Sequence, residues 1–138
     1  MRLDGKVAIV TGGAHGMGEA EARLFAKEGA KVVVADVLGK EAEAVAADIR
    51  ASGGNAIGAT IDVTSEPEWV ALIAKTLASY GRIDILVNNA GISGSSVGDP
   101  DGLEGWQRII AVNQTSVFLG TKLAAEQRRA ALGSGASK

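Results

Sequence analysis

Three glycines near the amino terminus have a spacing that could hold a phosphate group. Gly12, Gly16 and Gly18 follow a short apolar run at residues 7–10 and precede a helix-compatible segment at residues 19–28. A turn that ends a strand and opens a helix presents unpaired N–H groups at the positive end of the helix dipole. The spacing is G-x3-G-x-G, whereas the general dinucleotide fingerprint is G-x-G-x-x-G. By itself the loop fits either a nucleotide site or an ordinary turn.

Each glycine of this loop has a separate physical reason to be there. We expect Gly12 to turn tightly because it lacks a Cβ, Gly16 to let a pyrophosphate approach the backbone, and Gly18 to let the helix pack closely on the strand. His15 lies between Gly12 and Gly16. Its simpler interpretation is a solvent-facing loop residue.

Asp36 comes twenty positions after Gly16, at the end of a second apolar run. A carboxylate at this place can accept hydrogen bonds from both ribose hydroxyls of an adenosine, and it repels a 2′-phosphate. Because the next residue, Val37, is not basic, the sequence predicts NAD rather than NADP if a dinucleotide binds. The alternative is a surface acid at the end of a strand.

Asp62 and Val63 end a third strand candidate at residues 56–63. The carboxyl ends of parallel strands share one edge of a sheet, so an acid there can meet an adenine amino group. It can equally be a turn acid that precedes a helix.

The fourth strand candidate, residues 84–87, is followed by a polar segment of small residues. This segment is Asn88, Asn89, Ala90 and Gly91. Its small side chains would let a flat ring or a ribose lie against the backbone. Two adjacent asparagines could instead satisfy the hydrogen bonds of a turn.

Asn113 is a polar residue on an otherwise apolar helical stripe. The other members of this stripe are Trp106, Ile109, Ile110 and Val117. A buried polar group costs free energy unless it is hydrogen-bonded. Asn113 could therefore tie the helix to a loop or contribute to a site.

Helical periodicity appears between the strand candidates. The apolar positions of residues 40–52 form one stripe, namely Ala42, Val45, Ala46 and Ile49. Ser65 and Glu68 have the spacing of a capping box, which predicts the start of the next helix. The stripe behind this box is Val70, Ile73, Ala74 and Leu77. Asp101 or Glu104 could cap the last helix.

The order of the elements predicts the fold class. Four strands alternate with four helices, and the strands are continuous apolar runs typical of a sheet that is buried on both faces. This alternation predicts an α/β fold, a Rossmann-type doubly wound parallel sheet of four βα units with right-handed crossovers.

Composition restricts the classes of function. Apolar residues make up 46% of the chain, and a formal charge of −2 offers no basic surface for nucleic acid. The absence of cysteine excludes a disulfide framework and thiolate chemistry, and we predict no metal site. The first apolar run is too short for a signal peptide or a membrane span, so we expect a soluble cytoplasmic protein.

Taken together, the motifs resemble the amino-terminal half of the short-chain dehydrogenase/reductase family. The matching segments are Thr11-Gly12-x3-Gly16-x-Gly18, Asp36, Asp62-Val63, Asn88-Asn89-Ala90-Gly91 and Val112-Asn113. The resemblance covers essentially the whole chain. It implies an NAD-dependent oxidoreductase that transfers hydride between nicotinamide and an alcohol or carbonyl substrate. A non-catalytic nucleotide-binding module is the alternative.

The resemblance also implies where the cofactor would lie. The residues implied around the pyrophosphate and the adjoining ribose are Gly12, His15, Gly16, Met17 and Gly18. Those implied at the adenosine are Asp36 and Val37 for the ribose, and Asp62 and Val63 for the adenine. Those implied along the rest of the cofactor are Asn89, Ala90 and Gly91. Asn113 matches the asparagine that supports the family's proton relay.

The family's catalytic serine and Tyr-x-x-x-Lys have no counterpart here, since in the family they follow a fifth strand. Tyr80 is the only tyrosine, and the residue four positions later is Asp84 rather than lysine. We therefore expect one dinucleotide-binding domain over residues 1–138 that is incomplete at its carboxyl end and inactive alone. Residues 133–137 would form the turn into the missing strand. We also expect a homo-oligomer.

Overall fold

The computed structural model describes residues 1–136 of the chain. The strands in this range are β1 (Val7–Thr11), β2 (Lys31–Asp36), β3 (Asn55–Thr60) and β4 (Ile85–Val87). The helices in this range are α1 (Gly16–Lys27), α2 (Gly39–Ala51), α3 (Glu66–Tyr80), α4 (Leu103–Ile110) and α5 (Ser116–Ala136). All strand pairs are parallel, and the order across the sheet is β3-β2-β1-β4. The predicted α/β fold is confirmed.

Alternate residues of the strands enter two apolar cores, one on each face of the sheet. Ile9 and Val33 belong to the core that also contains residues of α3 and α5. Val10 and Val34 belong to the core that contains residues of α1 and α2. Successive side chains of a strand point to opposite faces, so a sheet covered on both faces needs apolar residues at every position. This requirement explains the continuous apolar runs in the sequence.

The start and end of α3 follow from local hydrogen bonds. The Ser65 hydroxyl accepts a hydrogen bond from the Glu68 amide at 3.3 Å, as a capping box predicts. The Glu68 carboxylate accepts from the Asp62 amide at 3.1 Å, so it fastens the preceding turn instead of the cap. Gly81 ends the helix in the left-handed region with φ of +76°.

The third strand is shorter than the sequence pattern predicts. It ends at Thr60, so Asp62 and Val63 lie in the following turn and not within the strand. The amide of Ile61 still donates to the Asp36 carbonyl at 3.0 Å. Beyond it, the Asp62 carboxylate accepts a hydrogen bond from the Thr64 amide, and this contact turns the chain away from β2.

The predicted buried stripe of α3 begins one residue too late. Val70 is 55% exposed, whereas Trp69 is fully buried. The Trp69 indole N–H donates to the Val63 carbonyl at 2.8 Å, so a large ring is buried without an unsatisfied donor. Thr76 is also buried because its hydroxyl donates to the Leu72 carbonyl within the helix.

The last predicted helix is two helices joined by a wider, π-helical turn at Ala111–Thr115. Such a turn adds a residue and rotates everything after it relative to the sheet. Within and after this turn Val112 and Leu119 are buried, whereas Asn113 and Val117 are exposed. Before the turn, Trp106 is 60% exposed. The single apolar stripe predicted from 3.6-residue spacing is wrong for this reason.

Two further expectations for the carboxyl-terminal region are wrong. The residue before α4 is Gly102, and neither Asp101 nor Glu104 provides a side-chain cap. Residues 133–136 continue α5 where the glycine and serine content predicts a turn. Residues 137–138 lie outside the described part of the chain.

Asp84 connects the start of β4 to two neighbouring elements. Its carboxylate accepts hydrogen bonds from the Val7 amide at 2.9 Å and from Arg82 and Arg128 at 2.6 Å each. The side chain is only 4% exposed. Burial raises the pKa of Asp84, but the donors Arg82, Val7 and Arg128 together outweigh burial and hold this pKa below its ordinary value.

We predict that Asp84→Ala lowers the free energy of unfolding at pH 7 by about 1–3 kcal/mol, because the buried Val7 amide loses its acceptor. The folded pKa of Asp84 lies below the unfolded value of about 3.9. The loss should therefore be complete above about pH 5 and become smaller as the pH falls through the folded pKa, because the part that depends on the charge of Asp84 disappears. Urea denaturation between pH 3 and 7 measures this difference.

Asp48→Ala is the matched control, because Asp48 forms an exposed pair with Arg23 at 3.2 Å. Exposed pairs of this kind contribute little to stability. Equal losses in the two variants, or a loss for Asp84→Ala that does not change with pH, would contradict the prediction.

Candidate functional site

A cleft of about 410 Å³ opens at the carboxyl ends of the four strands. Gly12 follows β1, Asp36 ends β2, Asp62 follows β3 and Asn89 follows β4, and all four line the cleft. Ligands of open α/β sheets bind at this edge. The residues singled out in the sequence that line it are Gly12, His15, Gly16, Met17, Asp36, Val37, Asp62, Val63, Asn89, Ala90 and Gly91.

The glycine loop needs its glycines for two different reasons. Gly12 and Gly16 have φ of +63° and +57°, a region that other residues rarely adopt. A Cβ on Gly16 would meet nothing within 4 Å, so its backbone is open to the cleft. Gly18 does not line the cleft, because it is buried under the loop. A Cβ there would clash with the Gly12 carbonyl oxygen and lie 2.5 Å from the side-chain Nδ2 of Asn89.

The Thr11 hydroxyl connects the end of β1 to the segment after β4. It accepts hydrogen bonds from the amides of Asn89 and Ala90, each at 3.1 Å, and donates to the Val87 carbonyl at 3.2 Å. The Asn89 side chain also donates to the Gly12 carbonyl at 3.2 Å. Thr11 is 1% exposed, so these contacts satisfy a buried polar group. They fix the spacing between the glycine loop and residues 89–91.

The Asp36 carboxylate organises the loops on both sides of it. Its Oδ2 accepts from the Ala14 amide at 3.1 Å, and its Oδ1 accepts from the Leu38 amide at 3.0 Å. Val37 is 65% exposed beside it. A carboxylate oxygen can accept more than one hydrogen bond, so Asp36 retains capacity for a ligand hydroxyl.

Asp62 is held in place by Thr64. Its Oδ1 accepts from the Thr64 hydroxyl at 2.7 Å and from the Thr64 amide at 2.9 Å. These donors hold the pKa of Asp62 below its usual value although burial opposes them, and the positive charge of Arg108 acts in the same direction. Asp62 is therefore an anion at neutral pH.

Asn113 does not line the cleft but holds a residue that does. Its Oδ1 accepts from the Ile92 amide at 2.8 Å, and its Nδ2 donates to the Ile92 carbonyl at 2.7 Å. The paired contact fastens the π-helical turn to the segment after β4. Of the two alternatives that the sequence leaves open for Asn113, a tie between helix and loop is present in the structure.

Four lining residues escape the sequence argument. They are Ile61, Ile92, Arg108 and Val112. Ile61 and Ile92 immediately adjoin segments that the sequence does identify, and this adjacency is the signal that points to them. Arg108 comes from α4, and no motif in the sequence indicates that this helix reaches the cleft. Val112 belongs to the Val112-Asn113 segment that the sequence does identify, but only Asn113 is given a role there.

Tyr80 lies at the opposite edge of the sheet from the cleft. It ends α3, and its hydroxyl donates to Asn55 at the start of β3, which is the opposite end of the strand from the cleft. Burial raises the pKa of Tyr80, and the charge of Arg50 only partly opposes this. A tyrosine with a raised pKa outside the cleft is not placed to move a proton there.

The charges of the cleft suit a polar organic ligand. Asp36 and Asp62 supply hydrogen-bond acceptors, and Arg108 supplies a cation. Among the described residues, no three His, Asp or Glu side chains converge as metal ligands would. No helix within residues 1–136 is both long enough and apolar enough to cross a membrane.

Several known proteins are similar to this chain in sequence and in structure. A 2,5-dichloro-2,5-cyclohexadiene-1,4-diol dehydrogenase of Sphingobium indicum is 46% identical over 89% of this chain and 49% of its own length. A cyclopentanol dehydrogenase of Comamonas testosteroni is 42% identical over 94% of this chain and 52% of its own length. The chain thus spans about half the length of the curated relatives it matches.

The structural comparison agrees with the sequence comparison. The crystal structure of a hydroxysteroid dehydrogenase from Escherichia coli superposes with a TM-score of 0.85 and 39% identity, covering 91% of this chain and 53% of that protein. The sequence model of the family described as short chain dehydrogenase matches residues 6–134. With its four strand ends and its glycine loop at one cleft, the chain belongs to the short chain dehydrogenase family.

Proposed function

We propose that the cleft binds NAD(H), and that the chain is the cofactor-binding part of an oxidoreductase that interconverts alcohols and carbonyl compounds. The convergence of the glycine loop, Asp36 and residues 89–91 on one cleft carries this proposal. The relatives named as dehydrogenases of a cyclic diol and of cyclopentanol support the substrate class. The absence of cysteine suits a reducing compartment, and we propose the cytoplasm.

The residues of the cleft fit a dinucleotide. The open backbone at Gly16 and the start of α1 would hold the pyrophosphate, and Asp36 would accept from the adenosine ribose. Asp62 would face the adenine, and residues 89–91 would lie along the remaining ribose and ring. NAD supplies the hydride acceptor or donor when it is bound. Asn113 would position the Ile92 backbone beside it.

Charge at the ribose end supports NAD over NADP. Asp36 is fixed by two backbone amides, so its carboxylate cannot move aside for a 2′-phosphate without releasing both loops. Its neighbour Val37 offers no positive charge to offset that phosphate. Like charges in a partly buried site cost on the order of 1–3 kcal/mol.

We predict that the chain binds NAD at least about tenfold more tightly than NADP, which corresponds to about 1.4 kcal/mol. Asp36→Asn should reduce this ratio because it removes the negative charge and retains the shape of the side chain. Isothermal titration of both dinucleotides measures the ratio. Asp48→Asn, which removes an exposed acid on α2 outside the cleft, should leave it unchanged. Equal affinities in the unmodified chain would refute the preference.

We predict that the 138-residue chain alone does not turn over alcohols or ketones. Its one tyrosine bonds to Asn55 away from the cleft, and Asn113 has no proton that titrates near neutral pH. The assay follows the absorbance of reduced nicotinamide while the chain is incubated with cofactor and a panel of secondary alcohols and ketones. Activity that persists through purification and is lost in Gly16→Trp would contradict the prediction. Binding without turnover would fit a nucleotide-binding module.

We also propose that the chain self-associates. The residues of β4 are only partly buried, and the outer edge of this strand has no neighbour within residues 1–136. Unpaired strand edges are templates for pairing with another chain. The apolar side of α4 is also open, since Leu103 is 71% and Trp106 is 60% exposed. Exposed apolar surface of this kind promotes association.

We predict a size above that of a monomer by light scattering. Trp106→Gln should shift the chain toward monomer, whereas Val70→Gln, at a residue similarly exposed on α3, should not. NAD should raise the melting temperature, since a ligand at a hundredfold excess over its Kd stabilises by about 2.7 kcal/mol. A monodisperse monomer with an NAD-independent melt would contradict the proposal.

A further inference from the structure

Arg108 lies at one end of the cleft and has no partner that fixes it. It lines the cleft, and it is exposed in the last turn of α4. Within residues 1–136 its guanidinium forms no ion pair and no side-chain hydrogen bond, whereas Arg23, Arg50 and Arg128 each pair with a carboxylate. Its side chain is therefore available to a ligand.

The surroundings of Arg108 identify which end of the cleft it occupies. Val112 lies in the π-helical turn that follows α4, and it lines the cleft together with Arg108. Val112 packs in the same core as Ile61 and Val63, which also line the cleft. The charge of Arg108 also acts on Asp62. Arg108 therefore belongs to the end of the cleft formed by the turn after β3.

This end of the cleft combines an apolar floor with one free acceptor. Ile61, Val63 and Val112 supply the floor. Both hydrogen bonds to the Asp62 carboxylate within residues 1–136 go to Oδ1, so Oδ2 can accept from a ligand. A flat ring that carries an amino group satisfies both features.

We propose that Arg108 is a specificity-determining residue that closes this end of the cleft over a purine ring. Its planar guanidinium stacks on one face of the ring, the apolar floor contacts the other face, and Asp62 accepts from the exocyclic amino group. The inference rests on the proposed function, because it takes the purine to be the adenine of the bound dinucleotide. Arg108 acts on binding and takes no part in proton or hydride transfer.

A phosphate is the other group that an unpaired arginine could bind, and the topology disfavours it. The glycine loop follows β1, whereas Asp62 follows β3, with β2 between them. Neighbouring strands lie about 4.8 Å apart, so these two strand ends are separated by about 10 Å. The position of Arg108 at the Asp62 end of the cleft therefore favours the purine over the pyrophosphate.

Binding of adenosine, AMP and NAD to Arg108→Leu and Arg108→Lys, followed by NMR titration and calorimetry, tests the proposal. Loss of a stacked guanidinium should weaken all three ligands by about three- to tenfold in the leucine variant. The lysine variant should lose nearly as much, because it keeps the charge but not the planar group. Arg129→Leu, at an exposed arginine on α5, is the matched control and should bind as the unmodified chain does.

Each alternative outcome has a definite meaning once thermal melts show that the variants are folded. Full affinity in Arg108→Lys, or weakened AMP with unchanged adenosine, would overturn the purine contact in favour of a phosphate or a general charge effect. An unmodified chain that binds AMP but not NAD would refute the proposed function and leave the purine contact standing on the AMP data. An unmodified chain that binds neither would refute both.

Discussion

The cleft depends on one buried hydroxyl. Thr11 accepts from the amides of Asn89 and Ala90 and donates to the Val87 carbonyl, so a single side chain joins the end of β1 to the segment after β4. Without that hydroxyl, two amides and a carbonyl at the edge of the core would lack these partners, and unsatisfied polar groups of this kind are costly. The positions of Gly12 and Gly91 relative to each other follow from this contact. The cleft walls that carry the proposed ligand contacts are therefore set by the sheet itself.

The two acids of the cleft, Asp36 and Asp62, stabilise the loops around them in addition to their proposed role in binding. Asp36 holds the loops at Ala14 and Leu38, and Asp62 holds the turn at Thr64. Each carboxylate is therefore already oriented before a ligand arrives, which lowers the entropy lost on binding. Asn113 likewise orients a part of the cleft before a ligand binds, because its side-chain amide fixes the Ile92 backbone. Asp36 and Asp62 therefore both hold the loops of the chain and would contact the proposed ligand, whereas Asn113 acts only through Ile92.

The sequence predicts those features that local chemistry determines. Apolar runs locate the strands, and glycine and Ser65 locate helix ends, because each acts through neighbours in the chain. The sequence predicts one apolar stripe from Trp106 to Val117, and this prediction fails because the π-helical turn at Ala111–Thr115 interrupts the helical period. Such turns leave no clear trace in hydrophobic spacing. The place of Arg108 at the cleft depends on how α4 packs, which no motif encodes.

The order of the strands has a consequence for how the chain acquires its cleft. β1 pairs with β2 after a short crossover, but its other neighbour, β4, begins 78 residues after β1 does. Closing so long a loop is entropically costly, and pairings between distant segments form slowly. The glycine loop needs only the local pairing of β1 with β2, whereas the far wall of the cleft needs the distant pairing of β1 with β4. Binding of the proposed dinucleotide, which needs both walls of the cleft, would therefore require the most distant strand pairing of this sheet.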